Sequence, residues 1–275
     1  MGNHFFLSKE DYEEPRCLLN MDKTDVTPIP SRRVIEKLDE YLGRNDYSAA
    51  ERHLTYWLEE AEAGNDMRGK LTVLNEQIGL YRKRGKEPEG ICAISAALAL
   101  AQQLGMENTV TFGTTLINAA TGYRSFGKPE KALPLYQNAQ AIYESALDPD
   151  DSRLGGLYNN MALTLTDLGA YRQAEALFGK ALGIMGKQEH GEAEMAITYL
   201  NLSDLVSAEL GPEAGEKRIE AYLHKAEELL NTESLPKDGY YAFVCEKCAP
   251  VFGYYGYFLT EQELTQRARD IYERT

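Results

Sequence analysis

Apolar residues recur along most of the chain at steps of three and four residues, the spacing of one face of an α-helix. Between residues 171 and 182 this spacing places Tyr171, Ala174, Phe178 and Ala181 on one stripe. No alternating β-branched run competes with it, so the pattern predicts helices rather than strands. It predicts twelve helices, near residues 30–43, 46–63, 66–84, 87–105, 107–126, 129–147, 150–168, 171–186, 190–210, 213–231, 238–259 and 261–274.

The helices repeat with a period of 42 residues, marked by Gly43, Gly85, Gly127, Gly169 and Gly211. Neighbouring residues agree between the copies, as in Asn118/Asn160, Ala132/Ala174 and Tyr136/Phe178. Glycine takes a left-handed backbone without penalty and commonly ends a helix, so each period predicts two helices joined at the glycine. In the first copy Asn45 fits the turn better than Gly43, and a divergent sixth copy runs through Gly256.

A turn glycine followed by alanine, an aromatic residue and alanine, as in Ala132, Tyr136 and Ala139, resembles the tetratricopeptide repeat. The resemblance is strongest at 113–147 and 155–187, and the long period is similar to that of kinesin light chain and of bacterial peptide-sensing regulators. It implies an all-α fold, a right-handed α-α superhelix of about six helix pairs whose A helices line a concave groove. We expect an irregular segment over 1–29 and a single array over 30–275, with copies at 30–63, 66–105, 107–147, 150–187, 190–231 and 238–274.

Composition narrows the possible partners. The chain has 29 Lys and Arg against 43 Asp and Glu, a formal charge of −14. That balance argues against binding to nucleic acid or to anionic membranes. There is no secretory signal and no apolar run of membrane-spanning length, and four cysteines are too few for a disulfide scaffold. We therefore expect a cytoplasmic protein.

No motif in the sequence predicts catalysis. The chain lacks a phosphate-binding glycine loop, a zinc-protease motif and a nucleophile elbow, and its four histidines are scattered. We predict a non-enzymatic scaffold with no cofactor, whose partner is a peptide or an extended protein segment.

Asparagine recurs in the middle of the predicted A helices, although it is a mediocre helix former. Asn75, Asn118, Asn159, Asn160 and Asn201 occupy nearly equivalent positions. A side-chain amide offers two donors and an acceptor, which match the C=O and N–H of a peptide backbone. In the long-repeat relatives such asparagines hold ligand backbone, and the resemblance implies the same role here. The alternative is that each amide bonds within its own repeat or to a neighbouring helix.

Basic residues cluster near the ends of two A helices, with Arg82 and Arg124 one period apart. They favour a carboxylate or acidic side chain of a partner, or they simply interact with the helix dipole. The predicted peptide-binding residues are Thr72, Asn75, Arg82, Lys83, Asn118, Thr121, Arg124, Asn159, Asn160 and Asn201.

Two further hypotheses concern the end of the chain. Cys245 and Cys248, together with Cys17, are weak candidates for a zinc or redox site. The alternative is that these cysteines are buried where helices pack. The segment 240–259 is rich in tyrosine and phenylalanine on several sides. It predicts either core packing or an interface for a homodimer, which would make the chain a self-associating adaptor.

Overall fold

The computed structural model describes residues 26–274, and within this range it contains twelve α-helices and no β-strand. The all-α prediction in about six helix pairs is confirmed. The helices are α1 Ser31–Gly43, α2 Tyr47–Ala63, α3 Met67–Arg84, α4 Glu87–Gln103, α5 Val110–Ser125, α6 Pro129–Ala146, α7 Ser152–Asp167, α8 Tyr171–Met185, α9 Glu192–Leu210, α10 Pro212–Leu230, α11 Gly239–Tyr254 and α12 Phe258–Tyr272.

The turn within each pair has a left-handed residue where the period predicts it. Gly127 and Gly169 have φ of 69° and 73°, and the other period glycines after the first copy also have positive φ. In the first copy Asn45 takes this role with φ of 56°, while Gly43 still belongs to α1. The two-residue shift inferred for the first copy is therefore correct.

The predicted boundary between the eleventh and twelfth helices is wrong. The eleventh helix was expected to reach residue 259, but α11 ends at Tyr254 and the chain turns at Gly256, where φ is 85°. The N–H of Tyr257 bonds back to the carbonyl of Phe252 at 2.9 Å and closes this turn. Aromatic residues on both sides of Gly256 continue the apolar pattern and conceal the break.

The two helices of a pair pack through one small and one large position. Ala132 and Ala174 are fully buried, which allows close approach of the helices, and Tyr136 and Phe178 fill the space beside them. This is the arrangement that the apolar stripe predicts.

Residues 26–30 contain no helix and dock onto the junction of α2 and α3. The N–H of Thr27 bonds to the carbonyl of Gly64, and the N–H of Ile29 bonds to the Asp66 carboxylate, both at 2.9 Å. Ile29 joins the core of the first helix pair. The rest of the predicted irregular segment, residues 1–25, lies outside the described residues.

The chain divides into two compact units between Ala146 and Leu147. Unit 1 contains α1–α6 and unit 2 contains α7–α12. The prediction that 30–275 forms a single array stays a prediction, and each unit is described by itself below.

Candidate functional site

In unit 1 the predicted amides bind each other. Asn118 on α5 donates from Nδ2 to Oδ1 of Asn75 on α3 at 3.0 Å, and Asn75 donates to Oγ1 of Thr115 at 3.2 Å. Asn75 also donates to the carbonyl of Leu71 within its own helix. Both side chains are buried, with 1% and 0% of their surface exposed. Asn75 and Asn118 therefore join two neighbouring A helices, which is the alternative that the sequence left open.

In unit 2 a similar pair of asparagines connects α7 and α9. Oδ1 of Asn159 accepts from Nδ2 of Asn201 at 3.0 Å and from Oγ1 of Thr198 at 3.2 Å. Asn159 and Thr198 are buried, but Asn201 is only half-buried. The free lone pairs of Asn201 Oδ1 accept no hydrogen bond from the described residues, so this amide can still meet a ligand.

Asn160 follows Asn159 on α7 and is also half-buried. Its side chain makes no hydrogen bond within residues 26–274, so both its donors and its acceptor are available. Asn160 and Asn201 are thus the two predicted amides that a ligand can reach directly.

The two threonine candidates are only partly accessible. Thr72 and Thr121 are both half-buried, and Oγ1 of Thr121 hydrogen-bonds to the buried hydroxyl of Tyr136 at 2.8 Å. Tyr136 belongs to α6, so Thr121 contributes to the packing of its own helix pair as well as to the surface.

The structure places the basic candidates in two different surroundings. The pKa of Arg82 is lowered, mainly because burial disfavours its charged form and also because the positive charge of Arg124 is close. Arg82 and Arg124 therefore lie near each other across α3 and α5. The Lys83 ammonium instead lies 5.4 Å from the ring centroid of Tyr47 at the start of α2, which places this candidate against its neighbouring B helix.

The two cysteines of the C-terminal helix pair are packing residues. Cys245 and Cys248 are 0% and 1% exposed, and burial raises the pKa of both thiols, that of Cys248 to about 12. Protonated thiols are poor metal ligands and poor nucleophiles. Among residues 26–274 no three His, Cys, Asp or Glu side chains are grouped to hold a metal ion. Cys17 lies outside the described residues, so the three-cysteine site stays a prediction.

The aromatic residues around α11 are partly core and partly surface. Tyr241 and Phe252 are buried, whereas Tyr254 and Phe258 are 74% and 62% exposed, and Leu259 is 77% exposed. The sequence predicted aromatics there without separating the two groups. The repeat register could have done so, because Tyr254 occupies a position that is polar or charged in the four copies before it: Lys83, Ser125, Asp167 and Glu209.

Comparison with known proteins agrees with this architecture. Residues 155–191 match the family model described as tetratricopeptide repeat. This segment is therefore similar to a tetratricopeptide repeat. This match falls on the copy predicted at 155–187, which spans α7 and α8.

The comparison with solved structures found proteins with tetratricopeptide-type repeats. A putative kinesin light chain of Podosopora anserina with nearly identical TPR-like repeats superposes with a TM-score of 0.50 at 17% identity, covering 74% of this chain and 94% of that one. BtubC (BKLC) from P. vanneervenii gives 0.48 at 19% identity over 89% and 91% of the two chains. A tetratricopeptide repeat protein from Parabacteroides merdae gives 0.44 at 18% identity over 87% and 98%. No curated protein sequence matches the chain.

Stacked repeats of this kind form superhelices with extended concave surfaces. Among the described residues, none of the helices is both long and apolar enough to span a bilayer.

Proposed function

We propose that the chain is a cytoplasmic, non-enzymatic scaffold that binds an extended peptide segment along the A helices of unit 2. The observation that supports this proposal is the pair of accessible amides, Asn160 on α7 and Asn201 on α9. Both lie in the middle of helices, where asparagine is unfavourable unless its amide finds a partner. Asn160 has no such partner within the described residues.

The two amides are suited to a peptide backbone. Neighbouring packed helices lie about 10 Å apart, and an extended peptide advances about 3.3 Å per residue. A peptide that crosses α7 and α9 can therefore bond to Asn160 and, about three residues later, to Asn201. Because the bonds go to backbone groups, they add affinity without selecting the side chains of the partner.

In unit 1 we propose a different contribution. Asn75 and Asn118 maintain the packing of α3 against α5, while Arg82 and Arg124 favour an acidic side chain of a peptide that binds to unit 1. Substitution of both arginines by glutamine should then weaken binding of an acidic peptide and reduce the salt dependence of its affinity. Unchanged affinity and salt dependence would remove the arginines from the site.

A selection of peptides on the full chain tests the main proposal. Phage-displayed random dodecapeptides are selected on the wild-type chain, and the dominant peptides are synthesised and titrated by calorimetry. Each backbone bond is worth about 0.5–1.5 kcal/mol, so the double variant Asn160→Ala/Asn201→Ala should bind about fivefold to about a hundredfold more weakly.

A matched control is Asn138→Ala, because Asn138 is an exposed mid-helix asparagine on the B helix α6. It should bind the selected peptides like the wild type. Equal affinity of the wild type, the control and the double variant would contradict the proposal.

A second candidate function is self-association through the turn between α11 and α12. It is favoured by the exposed Phe258 and Leu259, which are 62% and 77% exposed at the start of α12. Isolated apolar residues are common on surfaces, but adjacent large ones often mark interfaces. Light scattering should then give a dimer mass for the wild type and a monomer mass for Phe258→Ser/Leu259→Ser. A monomer mass for the wild type at high concentration would exclude it.

A further inference from the structure

The A helix that carries Asn201 has acidic residues and no basic ones. Helix α9 packs against both other A helices of unit 2, α7 and α11. It contains no lysine or arginine and has four carboxylate residues: Glu192, Glu194, Asp204 and Glu209. The helix therefore has a formal charge of −4, which no cation of its own reduces.

The other A helices show that this charge is particular to α9. Helix α7 has Arg153 and Asp167, and α11 has the adjacent and exposed Glu246 and Lys247, so each is formally neutral. In unit 1, α3 has five basic residues against one acidic residue, and the only charged residue of α5 is Arg124. The A helices of unit 1 that carry Asn75 and Asn118 are thus basic, whereas α9 is acidic.

Two of the carboxylates lie beside the accessible amide of Asn201. Glu194 precedes Asn201 by seven residues and Asp204 follows it by three, and both spacings place the side chains on one side of the helix. At a rise of about 1.5 Å per residue, Asp204 lies about 4.5 Å and Glu194 about 10.5 Å from Asn201 along the helix axis. Asn201 and Glu194 are half-buried and Asp204 is exposed. A peptide bonded to Asn201 therefore passes next to Asp204.

Two tyrosines hold these carboxylates in place. The Tyr240 hydroxyl donates to Oε1 of Glu194 at 2.7 Å, and the Tyr255 hydroxyl donates to Oδ1 of Asp204 at 2.9 Å. The second oxygen of each carboxylate accepts no hydrogen bond from the part of the chain that the structure describes. Each carboxylate is thus oriented and can still bond to a ligand.

Neither carboxylate is neutralised by a cation of the chain. Within residues 26–274, Glu194 and Asp204 form no ion pair with a lysine or arginine. Glu194 lies in the first turn of α9, where the helix dipole favours a carboxylate, but Asp204 lies well beyond it. The surrounding protein removes part of the hydration of Asp204 and raises the pKa of its carboxyl, which the bond from Tyr255 offsets only in part. A cation supplied by a ligand would stabilise the charged form of Asp204.

We infer that the peptide bound along the A helices of unit 2 is basic, with a lysine or arginine that pairs with Asp204 next to the residue bonded to Asn201. Both side chains are long and flexible enough to reach a carboxylate about one peptide residue away. Glu194, which is farther from Asn201, attracts further positive charge on the same peptide. The inference rests on the proposed peptide-binding function, because the amides form the site and the carboxylates select the side chains that enter it.

The selected dodecapeptides provide the test. Those whose affinity falls in Asn160→Ala/Asn201→Ala should contain lysine or arginine. Each is synthesised as selected and in an uncharged form, with norleucine in place of lysine and citrulline in place of arginine. Both forms are titrated by calorimetry into the full-length wild type and Glu194→Gln/Asp204→Asn. The new amides keep an oxygen that can accept the tyrosine hydroxyl, so this variant removes charge while it retains the contact between α9 and α11.

The expected result is a loss that depends on the charge of the peptide. Exposed ion pairs contribute modestly, so the basic peptide should bind the variant about twofold to about thirtyfold more weakly at low ionic strength. Added salt should reduce this difference. The uncharged peptide should bind the variant and the wild type equally.

A matched control separates the two carboxylates from the overall charge of the chain. Glu216→Gln/Glu220→Gln removes the same charge from exposed positions of the B helix α10 and should leave both affinities nearly unchanged. Equal losses in this control and in Glu194→Gln/Asp204→Asn would overturn the inference.

Failure of the inference and failure of the proposed function are distinguishable. If Asn160→Ala/Asn201→Ala weakens binding of peptides that have no basic residue, or whose affinity Glu194→Gln/Asp204→Asn does not change, the peptide-binding function stands and this inference is overturned. If no selected peptide loses affinity in Asn160→Ala/Asn201→Ala, both are overturned.

Discussion

The two asparagine pairs of the chain look alike in sequence and differ in what they leave exposed. Asn75 and Asn118 are 43 residues apart, Asn159 and Asn201 are 42 apart, and each pair has one amide–amide bond of 3.0 Å between neighbouring A helices. In unit 1 both partners are buried, whereas in unit 2 the second partner is half-buried. Asn118 and Asn160 occupy the same repeat position, so this position connects two helices in unit 1 and is accessible in unit 2.

The difference arises from the neighbours of the amides. In unit 1 the buried Asn75 uses its amide on Leu71 and Thr115 as well as on Asn118, while the buried Oδ1 of Asn118 has no hydrogen-bond partner among the described residues. In unit 2 Asn159 receives both bonds on one oxygen, and the adjacent Asn160 lies outside the network. The second asparagine of the Asn159–Asn160 doublet is thus the signal that separates the two regions.

The largest loss of stability should come from removing one partner of the buried pair Asn75–Asn118. Asn75→Ala leaves the Nδ2 group of Asn118 buried without its acceptor, and an orphaned buried polar group costs about 1–3 kcal/mol. We expect the free energy of unfolding, measured in urea, to fall by about 2–3 kcal/mol once the cavity is included. Asn160→Ala, at an accessible position, should change it by less than about 0.5 kcal/mol. Equal losses in the two variants would contradict the distinction.

A pair of equivalent glycines gives the next effect. A Cβ on Gly113 of α5 would lie 2.5 Å from the ring of Tyr143, which hydrogen-bonds to Thr114 at 2.7 Å and is buried. A Cβ on Gly155 of α7 would lie 2.5 Å from the terminal methyl of Met185, which can rotate away. Gly113→Ala should therefore destabilise by about 1–3 kcal/mol.

Gly155→Ala should be close to neutral, because alanine favours the helix by about 1 kcal/mol and offsets the adjustment of Met185. Thermal unfolding of both variants measures the difference. A larger loss for Gly155→Ala would mean that unit 2 is packed more rigidly than unit 1 around these positions.

The turn glycines should respond alike in both units. Gly127 and Gly169 have left-handed backbones and open space around the position of a Cβ, so alanine meets only the conformational cost of about 1–2 kcal/mol. We expect equal losses of stability for Gly127→Ala and Gly169→Ala in urea unfolding. Clearly unequal losses would break the equivalence of the two repeats on which the comparison rests.

The smallest effect is expected for removal of the accessible amides. Cys245 and Cys248 are buried in α11 and should react with a thiol reagent only when unit 2 opens, while the exposed Cys92 should react at once. Asn160→Ala/Asn201→Ala should leave the protection of Cys245 and Cys248 within a few-fold of the wild type. Rapid labelling of both cysteines would show that these amides maintain unit 2 rather than bind a ligand.

Much of the fold could be predicted because the pattern that determines it lies within short stretches of sequence. The spacing of Ala132, Tyr136 and Ala139 and the turn at Gly127 depend on residues within one helix pair, and they gave the twelve helices. The end of α11 could not be placed, because aromatic residues continue the pattern through Gly256.

The site was harder to predict because burial depends on residues that are distant in sequence. The sequence could not tell that Asn75 meets Thr115 and Asn118 while Asn160 meets neither. Nor could the sequence place the Lys83 ammonium over the Tyr47 ring, because both residue types are common on protein surfaces. The surface position of Tyr254 could have been recognised from the sequence, because comparing its repeat position with Asp167 and Glu209 needs only the repeat register.

The most direct test of the account is the NMR response of the asparagine side chains to a bound peptide. The full chain is labelled with ¹⁵N at asparagine, its side-chain NH₂ signals are assigned by single substitutions, and the dominant selected dodecapeptide is added to saturation. We expect large shifts for Asn160 and Asn201 and nearly unchanged signals for Asn75 and Asn118. Shifts confined to Asn75 and Asn118, or no shift in any of the four while the peptide is bound, would contradict it.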